Sequence, residues 1–234
     1  MGERLKDIDV LILCGGKGER LRPVSGACPK VLMPVAGRPF IDLLLEDLAG
    51  WGFRRFILST GHLKAQVRRH FEGTGPAVEF SDEDSPLGTG GAVKKAEGLI
   101  TSPCFLVMNG DSMCKTDFAR FYGFHRRKRG MLTAVLARAQ SGTDYGVVSI
   151  DDEQRITRFK EKTPAGEKAL VNAGIYMMNR AVFLNMPEQE TFSLEYDLFP
   201  RVVELGFYGF ITDGHVIDIG TPERYQKANK LLGS

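Results

Sequence analysis

The chain has 234 residues, 43% hydrophobic and 26% charged, the proportions of an ordinary globular protein able to bury a sizeable core. Its 31 basic and 29 acidic side chains leave a formal charge of +2, which excludes a polyanion-binding tail and gives charge alone no argument for nucleic acid. Cys14, Cys28, Cys104 and Cys114 have neither C-x-x-C spacing nor a histidine at metal-ligand spacing and are expected as reduced thiols; no apolar stretch reaches the ~18 residues of a membrane span or has the flanks of a signal peptide, so a cytoplasmic protein is expected.

The first expected strand is 9–14, where Val10-Leu11-Ile12-Leu13 form a short apolar run that opens onto the glycine-rich turn LCGGKGERLRP. Further strands are expected at 55–60, 78–81 and 105–108, separated by segments of helical period at 41–50, 63–71 and 89–99. This alternation predicts an α/β fold: a Rossmann-like, mixed but mostly parallel sheet with helices on both faces. Beyond residue 129 the strands come closer together, at 132–137, 146–150, 156–160 and 171–178. A helix at 194–204 follows, and a last helix at 222–232 has Thr221 as its cap and Pro222 in its first turn. Without repeats, low-complexity tracts or a linker, the expectation is a single domain over 1–234.

The glycine-rich turn is not one of the common phosphate loops. A Walker A run is absent, and the dinucleotide pattern G-x-G-x-x-G fails because Leu21 occupies the third glycine's place. What remains is backbone left accessible at Gly15, Gly16 and Gly18, followed by the cations Arg20, Arg22 and Lys30 on one loop stiffened by Pro23 and Pro29. Such a loop suits a triphosphate, although a solvated charge run has the same composition. Asp111, after the apolar run 104–108, is expected at the carboxyl end of a central strand, where open α/β sheets place ligands. Asp218 is flanked by Ile217 and Ile219; an unpaired carboxylate there is costly, which calls for a metal or a cationic partner. The four histidines show no metal-binding spacing, and there is no Ser-His or Cys-His constellation.

The longer segment GGKGERLRPVSGACPKVLMPVAGRPFID resembles the signature G-G-x-G-x-R-L-x-P…P-K-x-x-x-P-V of the sugar-1-phosphate nucleotidyltransferases. PLGTGGA, NGD, YGVV, FKEK, VNAGIY and IDIGTPERY extend that resemblance over nearly the full length. The combination of PLGTGGA, NGDS, FSLEYDLFP and DGHVIDIGTPERY is most similar to the D-glycero-D-manno-heptose 1-phosphate guanylyltransferase group of the family. Val24-Ser25 departs from the Leu-Thr frequent in glucose-type members, and no left-handed β-helix follows the last helix, so no acyltransferase activity is expected.

The resemblance implies the fold of the nucleotide-diphospho-sugar transferases. It also implies attack by a sugar 1-phosphate oxygen on the α-phosphorus of a nucleoside triphosphate, with Mg2+ as cofactor and pyrophosphate as leaving group. The triphosphate is expected to be GTP and the sugar a D-glycero-D-manno-heptose. By resemblance Arg20, Lys30, Asp111 and Asp218 are catalytic, the two aspartates also as metal ligands. Leu13, Gly15, Gly16, Gly18, Gly88, Thr89 and Asn109 bind the nucleotide, mainly from residues 1–129. Tyr145, Gly146, Glu161, Lys162, Asn172 and Gly174 line the sugar-phosphate site, mainly from residues 130–234. Neither nucleic acid nor membrane is an expected partner; the oligomeric state stays open, a homo-oligomer included. The alternatives are the same chemistry on another hexose 1-phosphate with UTP, CTP or dTTP, a catalytically silent nucleotide-sugar-binding regulator, and a dehydrogenase.

Overall fold

The computed structural model describes residues 5–73, 77–139, 144–164 and 169–233, with the backbone alone at 144–145 and 160–164. The first half runs β1 (Asp9–Leu13), α1 (Arg22–Ser25), β2 (Pro34–Val35), β3 (Arg38–Pro39), α2 (Phe40–Trp51), β4 (Arg55–Thr60), α3 (Lys64–Phe71), β5 (Val78–Asp82), α4 (Gly88–Lys95), β6 (Cys104–Asn109), β7 (Ser112–Cys114) and α5 (Phe118–Lys128). The second half adds β8 (Leu132–Arg138), β9 (Asp144–Ile150), β10 (Ile156–Pro164), β11 (Leu170–Asn179), α6 (Phe199–Val202), β12 (Phe207–Ile211), β13 (Val216–Asp218) and α7 (Pro222–Leu232).

Among the described residues the main sheet has nine strands, with β1 central between β6 and β4 and β5 beyond β4, all four parallel. Val10, Leu11 and Ile12 are fully buried because β1 is covered on both faces, which is why the run is continuous rather than alternating. One face carries α2, α3 and α5, with Leu44, Leu48, Val67 and Phe121 packed on Val10, Ile12 and Leu58. The other carries α4 and α6, with Val93, Phe199 and Val202 on Leu11, Ile57 and Val107. The mixed, mostly parallel sheet with helices on both faces is therefore as the alternation predicted.

Strand β11 runs antiparallel to all three of its neighbours. Its last residues pair with β6 (Ile175 opposite Met108), whereas its first pair with β9 (Leu170 opposite Val148), and β8 pairs with both its beginning and its end. The register against β8 shifts between Asn172 and Tyr176. Gly174 sits in that shift with φ +71°, and a Cβ there would fall 2.6 Å from the Asn109 amide nitrogen, so a glycine is required twice over.

Several boundaries differ from the periodicity reading. The helix expected over 194–204 begins as a π-helical turn, Leu194–Leu198, before α6. Pro200 lacks the N–H that an ordinary helix would offer to residue 196, and the Phe199 amide reaches back to the Leu194 carbonyl instead. Helix α5 went unread despite its Asp117 cap, whose carboxylate accepts the Arg120 amide at 2.9 Å, because its apolar positions are phenylalanines interrupted by Gly123. No helix among the described residues is long and apolar enough to cross a membrane.

Candidate active site

The carboxyl ends of β1 and β6 open into a cleft of about 390 Å³. Backbone bonds shape its floor: the Cys14 amide donates to the Ser59 carbonyl at 2.7 Å and the Gly110 amide to the Leu13 carbonyl at 2.9 Å. Leu13, Gly15, Gly16, Gly18, Asn109 and Asp111 all line this cleft, as do Gly88 and Thr89 from the opposite wall. All seven residues expected to bind the nucleotide thus share one cavity. Gly18 turns the chain with φ +61° and rests against the Lys30 stem. Lys17 and Glu83 line the cleft too. Lys17 is a bystander in the motif, and Glu83 lies just before it becomes legible.

At the mouth the four residues expected to be catalytic come together. Lys30 forms an ion pair with the Asp111 carboxylate. A Cβ built on Gly220 would lie 2.9 Å from Asp218 Oδ1, 3.6 Å from Lys30 Nζ and 3.7 Å from Arg20 Nη2. One point therefore has a carboxylate, an ammonium and a guanidinium within 4 Å, contributed by residues nearly two hundred positions apart. Asp218 also accepts the Gly220 amide at 2.9 Å and pairs with Arg224 at 3.3 Å, so it does have the cationic partner that its apolar flanks demanded.

The C-terminal segment reaches this place by a two-stranded ribbon. β13 pairs antiparallel with β7, Asp218 opposite Ser112, and the Ile219 amide donates to the Asp111 carbonyl at 3.0 Å. A separate core of Leu21, Met33, Val35, Phe40, Ile219 and Ala228 then clamps α7 onto the basic loop, with the Tyr225 hydroxyl on the Pro34 carbonyl at 2.6 Å. Asp218 at the end of β13 and Asp111 in the turn before β7 offer hard oxygen donors; among the described residues no cluster of three or more His, Cys, Asp or Glu is placed to hold a metal.

The glycines of PLGTGGA have a packing cause. The Gly90 and Gly91 amides donate to the Phe192 carbonyl at 2.9 and 3.2 Å, and a Cβ on Gly91 would meet the Glu190 carbonyl at 2.1 Å. The amino end of α4 is thereby occupied by the segment 190–192 instead of offering its amides to an anion. Glu83 closes the adjacent wall. It is buried, accepts the Ser59 hydroxyl and the Leu87 amide at 3.1 Å each, and presses against Gly15, where a Cβ would fall 2.7 Å from its Oε1.

Of the residues expected at the sugar phosphate, Gly146 is buried in β9, and Asn172 and Gly174 form the register shift of β11. Asn172 accepts the Gly174 amide at 3.1 Å and donates to the Tyr176 hydroxyl at 2.6 Å. Tyr145, Glu161 and Lys162 lie on β9 and β10 by their backbones, and their side chains are outside the described residues. The cysteines are free; Cys14 lines the cleft, but burial, reinforced by the Asp111 charge, pushes its thiol far up and leaves it unreactive. His125 lies outside the cleft, held neutral by burial.

An open α/β sheet with a glycine-floored cleft and a mixed cation–carboxylate mouth defines a phosphate-handling enzyme class. The chain belongs to the nucleotidyl transferase family, whose model matches residues 9–234. Among relatives, it is 36% identical over 228 residues to the D-glycero-alpha-D-manno-heptose 1-phosphate guanylyltransferase of Aneurinibacillus thermoaerophilus, covering 96% of this chain and 98% of that one. It is 34% identical over 232 residues to the mannose-1-phosphate guanylyltransferase of Mycobacterium tuberculosis, covering 96% of this chain but spanning only 64% of that protein's length. Among solved structures, HddC from Yersinia pseudotuberculosis superposes with a TM-score of 0.84 at 33% identity, covering 96% of this chain and 99% of that one, and has also been solved complexed with GMP-PN.

Proposed function

We propose that this protein transfers a guanylyl group from GTP to D-glycero-D-manno-heptose 1-phosphate. An oxygen of the sugar phosphate attacks the α-phosphorus, a new P–O bond forms, and the bond from the α-phosphorus to the bridging oxygen breaks to release pyrophosphate. The observation that carries this reading is the convergence of Arg20, Lys30 and Asp218 on one point beside Gly220, with Asp111 held by Lys30. Arg20 and Lys30 bring positive charge to phosphates whose negative charge shifts onto the leaving group, and the glycine floor lets phosphates approach the backbone. No covalent intermediate is required; the protein's contribution is alignment and charge compensation. Asp111 and Asp218 are the residues that would hold magnesium, whose usual demand is one or two carboxylates plus phosphate oxygens and water. Bound there, the ion supplies charge neutralisation on the reacting phosphates.

Guanine is favoured by Glu83. Its buried carboxylate only accepts hydrogen bonds, and with Ser59 and Leu87 each satisfying one site it retains capacity for two more donors. Guanine offers adjacent N1–H and N2–H donors, whereas uracil and thymine offer a single N3–H between two carbonyls. The guanylyltransferase relatives and the GMP-PN complex of HddC support the same base. A second sugar, mannose 1-phosphate, is favoured by the Mycobacterium tuberculosis relative.

A panel of four triphosphates against heptose, mannose and glucose 1-phosphates, with pyrophosphate release as readout, tests the reading. GTP with the manno-configured heptose should give the highest kcat/KM. A tenfold preference for UTP or dTTP, about 1.4 kcal/mol in the transition state, overturns the base; a preference for mannose 1-phosphate overturns the sugar.

A further inference from the structure

The segment that buries the glycines of the nucleotide-facing loop also carries Glu195, in the π-helical turn Leu194–Leu198. Three hydroxyls aim at this one half-buried carboxylate. Thr89 and Ser193 donate to Oε2 at 2.9 and 2.7 Å, and Tyr176 donates to Oε1 at 3.5 Å. Each donor is oriented by a second bond. The Thr89 oxygen accepts the Leu194 amide at 2.9 Å, the Ser193 oxygen accepts the Glu195 amide at 3.1 Å, and the Tyr176 oxygen accepts the Asn172 side-chain amide at 2.6 Å. The donor directions agree along this chain of bonds.

Its two ends are the two substrate walls. Thr89 lines the nucleotide cleft, 106 positions away from Glu195 in sequence. Asn172 stands at the register shift of β11, where Gly174 packs against the cleft residue Asn109. No backbone hydrogen bond joins loop 86–89 to β11 among the described residues. The side-chain chain through Glu195 is a polar connection between them, and a carboxylate is the acceptor best suited to gather several hydroxyls, since ionised acceptors make stronger bonds.

We propose that Glu195 is a positioning residue that sets the nucleotide loop and the sugar-facing start of β11 in one register, so that the two substrates meet in line. It acts through Thr89 on one side and through Tyr176 and Asn172 on the other. The proposal rests on the nucleotidyltransferase reading above. It implies that losing the Glu195 carboxylate loosens both substrates at once, although the residue need touch neither. A glutamine retains a carbonyl oxygen for the Thr89 and Ser193 hydroxyls, and its amide can donate to the Tyr176 oxygen; an alanine retains nothing.

The experiment measures KM for each substrate, kcat and the thermal midpoint for wild type, Glu195→Ala and Glu195→Gln, with the binding of GTP alone followed by calorimetry. Glu195→Ala should raise both KM values about tenfold, the worth of one well-placed hydrogen bond on each side, and weaken GTP binding similarly, while Glu195→Gln recovers much of each loss. A merely structural role would lower the midpoint and kcat with both KM values unmoved and would refute the proposal. A raised sugar-phosphate KM with GTP binding intact would refute it too, assigning Glu195 to direct sugar contact. If wild type itself releases no pyrophosphate with any pair of the panel, the functional reading fails first; active wild type with indifferent variants fails this inference alone.

Discussion

Replacing Asp218 by asparagine separates its ion pair from the role proposed for it, a carboxylate facing the phosphates. Asparagine keeps a carbonyl oxygen for the Gly220 amide, now 2.9 Å from Oδ1, so the turn after β13 should form as before. The charge is lost. Arg224 lies 3.3 Å from Asp218 Oδ2, with the two side chains 20% and 11% exposed, between the surface and buried limits. Surface pairs are worth about 0–1 kcal/mol, and breaking a buried pair costs about 3–5 kcal/mol. The expected cost is therefore roughly 1–2 kcal/mol, a fall in melting midpoint of about 2–8 °C for a domain of this size. Under the proposed function the effect on catalysis should be larger, a loss of about a hundredfold or more in kcat, equivalent to about 2.7 kcal/mol, because a carboxylate holding a metal would act on charge that develops in the transition state. Pyrophosphate release at saturating substrates over a range of magnesium concentrations, beside a thermal melt, measures both. Arg224→Met removes the ion pair and spares the carboxylate, so its midpoint should fall as far and its turnover by much less. If Asp218→Asn keeps near wild-type turnover and magnesium dependence while its midpoint falls, Asp218 is an ion-pair residue and the metal assignment is wrong.

Gly91→Ala would drive a methyl to 2.1 Å from the Glu190 carbonyl; overpacking of about 1–3 kcal/mol should outweigh the helix propensity gained and loosen segment 190–192, seen as a lowered midpoint, and an unchanged midpoint would show that this packing is slack. Burial, with the Arg126 charge, pushes His125 down to about 4. The unfolded chain, protonating near pH 6.5, then binds the extra proton between about pH 6.5 and 4, so stability falls on acidification by up to about 1.4 kcal/mol per pH unit. Denaturant unfolding at pH 7 and pH 5 should show a smaller loss for His125→Gln than for wild type; equal losses would contradict the assignment. Burial opposes ionisation of Asp9, but Arg55 at 2.6 Å and the amides of Ser102 and Thr101 outweigh it and hold the carboxyl below its ordinary value. Its contribution is present above the ordinary carboxylate value and is lost as pH falls through the lowered one. Asp9→Ala, which leaves the buried Ser102 amide without its acceptor and breaks the partly exposed pair with Arg55, should cost about 2 kcal/mol in urea unfolding at pH 7, and a cost under about 1 kcal/mol would mean water takes over the bonds.

The sequence by itself determined the elements whose burial pattern is local. The run at Val10–Leu13, the helical period from Ile41 to Leu48 and the Thr221-Pro222 start of the last helix each carry their signal within a few residues, and the structure has them there. The family was also legible, because its motifs are contiguous stretches in which each glycine or cation is spaced by the turn that needs it. The tertiary structure alone decided where those stretches meet. Nothing near Asp218 in sequence predicts that β13 pairs with β7 and carries that carboxylate to Lys30 and Arg20, since strand pairing is set by backbone partners a hundred residues away. For the same reason nothing in PLGTGGA itself shows that Phe192 and Glu190, a hundred residues on, fill the space beside its glycines. Glu195 was legible only as a letter of FSLEYDLFP, with no role attached: a glutamate on an amphipathic stretch has the composition of a solvated face, and only the fold gathers Thr89, Ser193 and Tyr176 around it.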